Sequence, residues 1–327
     1  MNELLSICIP TYNRAEYLND CLKSLLPQVA RYDIIIFVSD NASTDATAQV
    51  VENYKKIYPN IVYSRNEKNM GPDFNFTKAL RISKTKYSWL LGDDDRIADG
   101  AITKLLSILY IGDHDMVIVN GGKNRNEKIT GRVNDQPTKI FNDQNDLLAS
   151  IGWHMTWMSC LVFSAKVINE ANFEKFFDTN FLQFSVVFDT IAGKNISVYW
   201  ESEPYVYGTS SNLPAWLDIV FKIFITRWHN ALFVLPQSYT QSSKIKAQKD
   251  HGVNSRLFTL KNFVFFRIMG AYNLSVYNKY KQDFGFATNV PKIALFLIAL
   301  MPVPRFLSVF LMKHETEIVK IKRFILK

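Results

Sequence analysis

Apolar and polar residues fall in blocks along the first 120 residues, and the blocks have two different periods. Leu4-Leu5-Ser6-Ile7-Cys8-Ile9-Pro10 is a short apolar run closed by proline, the pattern of a parallel strand. After the polar Thr11-Tyr12-Asn13-Arg14, residues 15–26 place Tyr17, Leu18, Cys21, Leu22 and Leu25 on one side of a helix. Ile34-Ile35-Ile36-Phe37-Val38-Ser39-Asp40 predicts a second buried strand that ends on an aspartate. The next helix is expected to be capped by Ser43 or Thr44, to carry Asp45 in its first turn, and to stop before Pro59. Ile61-Val62-Tyr63-Ser64 predicts a third strand, residues 73–83 a helix, and Tyr87 to Leu91 a fourth strand. A helix from Asp99-Gly100 to about Tyr110 and a strand at Met116–Asn120 follow. Strands alternating with helices imply right-handed βαβ units and a largely parallel sheet.

The pattern then changes. Residues 121–150 are polar and read as loop and short helix. Trp153 to Val162 is aromatic and apolar, and Phe173 to Ala192 is strongly apolar around Asp178, Gln183 and Asp189. Val198 to Tyr207 fits a late strand, and helical patterns dominate after Asn212. Residues 291–312 are nearly all apolar but are interrupted by Pro302, Pro304 and Arg305. A membrane-spanning helix needs about 20 clean apolar residues. The interruptions therefore point to an interfacial or re-entrant pair of short helices, with a buried helix hairpin as the alternative.

The 327 residues, 48% hydrophobic and 21% charged, suffice for one large domain plus an appendage, or for two domains. Cys8, Cys21 and Cys160 are too scattered for a disulfide framework and lack metal-ligand spacing, which fits a reducing compartment. No basic stretch followed by a long apolar run opens the chain, so no secretory signal is visible. Residues 211–327 carry 17 Lys and Arg against 5 Asp and Glu, a surplus of 12; with +8 overall, residues 1–210 are left at −4. This places a division at residue 210, between an α/β domain (1–210) and a basic helical region (211–327). A basic region can face nucleic acid or an anionic membrane. Its aromatic and aliphatic content favours the membrane, and no nucleic-acid partner is expected.

The chemistry lies where the strands end. The run Tyr87-Ser88-Trp89-Leu90-Leu91 stops at Gly92-Asp93-Asp94-Asp95. Three adjacent carboxylates repel one another unless a cation sits among them. Hard oxygen ligands select Mg²⁺ or Mn²⁺. Pro10-Thr11-Tyr12-Asn13-Arg14 follows the first strand, Asp40-Asn41 closes the second, and Gly71-Pro72-Asp73 precedes the third helix. All fall at the carboxyl ends of strands, the ligand-binding rim of open α/β sheets. A ring to stack on, carboxylates, helix-start amides and a metal cluster together suit a nucleoside diphosphate.

These residues resemble the family 2 glycosyltransferases. The match covers residues 4 to about 120: Cys8 to Arg14, Ser39 to Asp45, Arg65-Asn66 through Asn69-Met70-Gly71-Pro72, and Trp89 to Asp95, in the family's order. The Asn-Met-Gly-Pro-Asp turn and the Gly-Asp-Asp-Asp ending look most like abequosyltransferases and related O-antigen enzymes. The resemblance implies a GT-A nucleotide-diphospho-sugar transferase fold, a mostly parallel sheet flanked by helices. It implies that Pro10, Thr11, Tyr12 and Arg14 border the nucleobase and that Asp40, with Asn41, holds base or ribose. Asn69, Gly71 and Asp73 would lie near the sugar nucleotide, Asp93 against ribose or sugar hydroxyls, and Asp94 or Asp95 would hold the metal. The family pattern is Asp-x-Asp-Asp; this chain has glycine at the first position, which leaves open which two carboxylates grip the ion.

An inverting transferase needs a carboxylate within reach of the acceptor hydroxyl. The family often supplies it from an acidic pair at a helix start, and here Leu182-Gln183 stands in that place. The substitutes are Asp178, closest to the family position, then His154 and Asp189. Trp153, Trp157, Phe181 and Phe184 either line an acceptor platform or pack a core. The expected function is an inverting hexosyl- or deoxyhexosyltransferase. It would use a nucleotide-diphospho-sugar donor and a lipid-linked oligosaccharide acceptor in O-antigen or surface polysaccharide synthesis. The expected location is peripheral, on the cytoplasmic face of the inner membrane. There Lys292, Arg305, Lys313, Lys320, Lys322 and Arg323 would meet anionic headgroups while Phe296, Leu297, Phe306 and Phe310 dip in. The alternatives are a non-catalytic nucleotide-sugar-binding or scaffold protein and, further off, a sugar nucleotidyltransferase, which the lack of a glycine-rich loop after the first strand disfavours. The lack of Gly-x-Gly-x-x-Gly disfavours a dinucleotide oxidoreductase.

Overall fold

The computed structural model describes residues 3–125, 128–208 and 217–303. The chain divides into two compact units, Met1–Ser210 with Leu235–Tyr239, and Ser211–Val234 with Thr240–Lys327.

The first unit runs β1 (Leu5–Thr11), α1 (Ala15–Val29), β2 (Ile35–Asp40), α2 (Thr47–Ile57), β3 (Ile61–Arg65), α3 (Pro72–Arg81), β4 (Tyr87–Leu90), β5 (Asp95–Ile97) and α4 (Ala101–Ile111). It continues through β6 (Met116–Arg125), β7 (Lys128–Gly131), β8 (Lys139–Phe141), α5 (Gln144–Ile151), β9 (Leu161–Ser164), α6 (Ala165–Glu170), α7 (Leu182–Thr190) and β10 (Val198–Gly208). The strands form one sheet in the order β3-β2-β1-β4-β9-β6-β10-β5, with β7 on β6 and β8 on β10. β3, β2, β1 and β4 are parallel. β9 then runs against both β4 and β6, and β10 is parallel to β6 but antiparallel to β5.

β1 is buried at all seven positions, as a parallel strand covered on both faces must be. Leu5, Ile7 and Ile9 share one core with Leu18, Leu22 and Leu25 of α1 and with Ile36 and Val38 of β2. Burial of each such side chain contributes roughly 1.5–3 kcal/mol before the entropy of ordering it is subtracted. Because Thr11 pairs with Asp40, Asp40 with Arg65, and Cys8 with Leu90, the strand ends and the segment after Leu90 come to one rim.

Several local expectations are revised. α1 continues through Pro27 to Val29; Pro27 is exposed, so water can take the carbonyl that its missing N–H leaves unpaired. Asp45, not Ser43 or Thr44, holds the start of α2, accepting from Thr47 N at 3.0 Å, and its other oxygen accepts from Ala15 N at the start of α1. Residues 121–150 contain the end of β6, β7, β8 and α5 rather than loop and short helix alone. The apolar stretch ending at Val162 runs into a strand, Leu161–Ser164, fixed by pairing on both sides rather than by its own pattern.

The second unit is helical: α8 (Trp228–Phe233), α9 (Gln241–Asn254), α10 (Leu260–Ile268), α11 (Leu274–Tyr280), α12 (Phe284–Ala287) and α13 (Lys292–Leu300). Its core gathers around Phe221, whose ring lies 5.4 Å from Phe258 and Tyr272 and 5.5 Å from Phe266. Thr240, Thr259 and Asn273 cap α9, α10 and α11 through their side chains. α13 buries Leu295, Ile298 and Ala299 and exposes Ile293, Leu297 and Leu300. No helix among the described residues is long and apolar enough to cross a membrane. Arg305, Phe306, Phe310, Lys313, Lys320, Lys322 and Arg323 lie outside the described residues.

Candidate active site

The turn after β4 carries Asp93 and Asp94, and Asp95 opens β5. Thr11, the last residue of β1, donates its hydroxyl to Asp93 Oδ2 at 2.8 Å. Arg14 spans two carboxylates: its Nε lies 3.1 Å from Asp93 Oδ1, and one of its terminal nitrogens donates to Asp94 Oδ2 at 2.6 Å. Asp93 and Asp95 are buried, whereas the Asp94 side chain is 30% exposed and so is the carboxylate of the three that meets solvent. Asp95 Oδ2 accepts from Trp157 Nε1 at 2.8 Å and from Ser159 Oγ at 2.5 Å, while Ser159 Oγ also accepts from Gly92 N at 2.8 Å. The Trp157 ring lies so close to Gly121 that a Cβ there would fall 2.3 Å from Cζ3, so only glycine fits.

A second set of residues shapes the neighbouring loop. Asn41 uses its whole amide: Nδ2 donates to Asn69 Oδ1 (2.8 Å) and Gly71 O (3.1 Å), while Oδ1 accepts from Asn66 Nδ2 (2.8 Å) and Met70 N (2.9 Å). Gly71, at φ +85°, then turns the chain into α3. Asp40 is fully buried; Oδ1 accepts from Ser43 N (2.9 Å) and Ser43 Oγ (2.6 Å), and Oδ2 from Tyr63 OH (2.5 Å). Pro10, Thr11, Asp40 and Asn41 thus stand behind the surface and fix the loops. Tyr12 (41% exposed), Arg14, Asn69, Gly71, Asp73 and Asp94 stand where a ligand can touch them.

The three candidate bases separate. His154 is overturned: it is fully buried, Nε2 lies 3.1 Å from Val119 O, and burial pushes its pKa down to about 3. It packs edge-on to Trp153 and Trp200 as a core group. Asp189 is held by Lys175 Nζ at 2.7 Å on α7. Asp178 is exposed, and its backbone N–H donates to Asp73 Oδ2 at 2.7 Å, which joins it to the start of α3. Gln183 donates to Thr156 O at 2.9 Å. Trp153, Phe181 and Phe184 are core residues, and Trp157 alone of the four aromatics is partly exposed. Trp157 and Ser159 bond Asp95 across more than sixty residues of sequence, and no local motif announces that contact.

Burial pushes the Asp93 carboxyl up to about 6 and the Asp95 carboxyl up to about 7. Both groups hold protons in the folded chain that the unfolded chain releases above about pH 4. Their contribution to stability is therefore present below that pH and is lost as pH rises through 6 and 7. The ligand-free protein should lose melting temperature from this source between pH 5 and 7.5, and Asp95→Asn should flatten the profile. Thermal melts across that range check it; parallel curves for the two proteins would contradict it.

The donor set around Arg14 is all oxygen, which fits a hard divalent ion. Among the described residues no three His, Cys, Asp or Glu side chains form a ready metal shell. Asp94 is the carboxylate placed to bind such an ion once Arg14 yields, and ligand phosphates and water would have to supply most of the rest. Asp95 would orient the turn through its bonds to Trp157 and Ser159.

Parallel strands thus deliver carboxylates, a guanidinium and an amide-ordered loop to one rim of an α/β fold of the GT-A kind, where ligands of open α/β sheets bind. Residues 6–171, just over half of the chain, match Glycosyl transferase family 2, and the chain belongs to that family: it is a glycosyltransferase. It is 29% identical to abequosyltransferase RfbV of Salmonella typhimurium over 64% of this chain and 67% of that protein. It is 35% identical to the GalNAc(5)-diNAcBac-PP-undecaprenol beta-1,3-glucosyltransferase of Campylobacter jejuni over 31% of this chain, a match that spans only a third of that enzyme. The fold is also that of the mannosyltransferase PcManGT from Pyrobaculum calidifontis, solved in complex with GDP-Man and Mn²⁺; TM-score 0.54, 14% identity, covering 99% of this chain and 88% of that one.

Proposed function

We propose that the enzyme moves a sugar from a nucleoside-diphosphate donor to a hydroxyl of a lipid-linked oligosaccharide. The setting is assembly of an O-antigen or similar surface polysaccharide. The observation that carries this reading is the joint placement of Arg14, Asp93 and Asp94 at the rim beside the loop that Asn41 orders. Tyr12 offers an exposed ring to a base, and Arg14 and the loop amides face the diphosphate. Asp94 would hold a divalent ion such as Mg²⁺ or Mn²⁺, which when bound would offset charge on the leaving diphosphate. The acceptor oxygen attacks the anomeric carbon, its proton passes to Asp178, and the bond to the diphosphate oxygen breaks with its electron pair. Attack from the face opposite the leaving group inverts the anomeric centre. The lipid-linked acceptor is supported by the Campylobacter relative, whose name carries a PP-undecaprenol acceptor.

The exposed Ile293, Leu297 and Leu300 of α13 lie one helical turn apart beside Lys292, within a strongly basic region. That pattern suits shallow attachment to an anionic bilayer, which for a nucleotide-sugar enzyme is the cytoplasmic face. The test is transfer from UDP-, GDP-, CDP- or dTDP-sugars, with Mn²⁺ and anionic vesicles, to a polyprenyl-diphosphate oligosaccharide, read by mass spectrometry. One nucleotide class should add one sugar, and NMR of the product should show the inverted anomer. Folded protein that neither binds nor turns over any donor would remove the reading.

A further inference from the structure

In the first unit, Arg14 and Arg96 are partly or fully buried arginines with carboxylate partners, Asp93 and Asp94 for the first and Asp20 for the second. Arg132 is different. Its side chain is only partly exposed, yet no carboxylate lies within 4 Å of it and no hydrogen bond of its guanidinium is formed among the described residues. The guanidinium carbon sits 4.8 Å from the ring centre of Trp153, which is itself buried. The backbone beneath it is fixed: Arg132 N donates to Gly121 O at 2.7 Å, and Asn120 Oδ1 accepts from Arg132 N and Val133 N at 3.2 Å each.

The surroundings leave the charge unbalanced. The side chains within electrostatic reach are His154, which burial and Arg132 together keep neutral, and Cys160, whose thiol burial keeps protonated. Burial draws the Arg132 pKa down to about 10, so the group stays charged at neutral pH. Its nitrogens are not among the buried polar atoms left without a partner, so the fork reaches solvent while it stacks on Trp153. A fixed, stacked, unpaired guanidinium is arranged to receive an anion from outside, and its planar fork matches two phosphate oxygens. Its neighbours connect it to the carboxylate turn. Gly121, which accepts from Arg132 N, touches the Trp157 ring whose Nε1 holds Asp95, and the Cys160 thiol feels both Arg132 and Asp95.

We propose that Arg132 is a phosphate-binding residue of the transfer cleft, on the Trp157 side of Asp95, that takes a phosphate or diphosphate group carried by a substrate. The assignment rests on the transferase reading. Two substrates carry that chemistry, the nucleoside diphosphate donor and an acceptor built on a lipid diphosphate.

The test compares full-length wild type with Arg132→Met, which keeps the apolar stem over Trp153, and with Arg132→Lys. Calorimetric titrations use UDP, GDP, CDP and dTDP with Mn²⁺, and separately farnesyl diphosphate. Arg132→Met should weaken one class by about 10–100-fold, the worth of charge-assisted bonds to one group. Arg132→Lys should recover part of it, and the Arg132→Met melting temperature should stay near wild type because the side chain is partly exposed and has no carboxylate partner to lose. Loss confined to farnesyl diphosphate assigns the acceptor phosphate; loss confined to one nucleoside diphosphate assigns the donor. Unchanged affinities in Arg132→Met beside a wild type that binds would overturn the role of Arg132 and leave the transferase reading standing. A wild type that binds no probe would overturn both. A lower melting temperature with both classes lost would make Arg132 a structural cation stacked on Trp153.

Discussion

Asp94→Ala is expected to lower sugar transfer by about 10²–10³-fold, the cost of removing one preorganised electrostatic contact from a developing charge. Three features of the turn single out Asp94 rather than its neighbours. Asp93 has both oxygens engaged, by Arg14 and Thr11. Asp95 has Oδ2 held by Trp157 and Ser159 and is buried. Asp94 is the more exposed carboxylate and shares Arg14 with Asp93. An arriving divalent ion would compete with Arg14 for that carboxylate, so Arg14 is free to turn toward the diphosphate when the ion binds. Because Asp94 is partly exposed, its loss should shift stability little, within about 0.5 kcal/mol as for most surface changes. Activity and Mn²⁺ binding, followed by the electron paramagnetic resonance of the free ion, should fall together while the melting curve stays put. Full Mn²⁺ affinity in Asp94→Ala would move the metal to Asp95, and a large loss of stability would make Asp94 a structural partner of Arg14.

Much of this site is written locally in the chain. The run from Leu5 to Thr11 is apolar because β1 is covered on both faces, and its end therefore marks the rim. Asp40-Asn41 and Gly92 to Asp95 could be placed at strand ends for the same reason. What each carboxylate does there was not legible, because the answer lies in residues distant in sequence. Asp40 stands at the end of a strand, yet Tyr63 and Ser43 take its oxygens, which makes it a brace for the 40–45 turn. Asp95 depends on Trp157 and Ser159, and Asp93 on Thr11 and Arg14, all across 79 or more or some sixty residues of chain. β5 and β9 leave no sequence signal because Asp95-Arg96-Ile97 and Leu161–Ser164 are too short to show a period. Their strand geometry comes from β10 on one side and from β4 and β6 on the other. His154 shows the opposite failure: its chemistry suggests a base, but its position in the fold removes it from water altogether.

The second large effect concerns the proton. Asp178→Asn is expected to lower kcat by about 10²–10⁴-fold, the usual contribution of a positioned base, with little change in the donor's KM. The resemblance puts Leu182-Gln183 where the family often has an acidic pair, and the surroundings of Gln183 suit an amide. Gln183 Nε2 donates to Thr156 O, one residue before Trp157, and a glutamate would set its charge against that carbonyl. On the proposed mechanism the base is then Asp178. Asp178 and Asn180 both adopt left-handed backbone, at φ +64° and +67°, which aspartate and asparagine tolerate better than most residues. Two such residues within three make a tight turn ahead of α7, and the bond from Asp178 N to Asp73 pins that turn to the helix that follows the Gly71 loop. The turn thus holds an exposed carboxylate next to the start of α3, which follows the Gly71 loop. Asp189, paired with Lys175, provides the control, since a partly exposed ion pair of that kind is worth about 0–1 kcal/mol. Asp189→Asn should therefore keep nearly the wild-type rate. Steady-state kinetics with the donor identified by binding would decide between them. A full rate in Asp178→Asn would mean that the acceptor gives up its proton elsewhere, with Asp73, at the other end of the bond from Asp178 N, as the next carboxylate to replace.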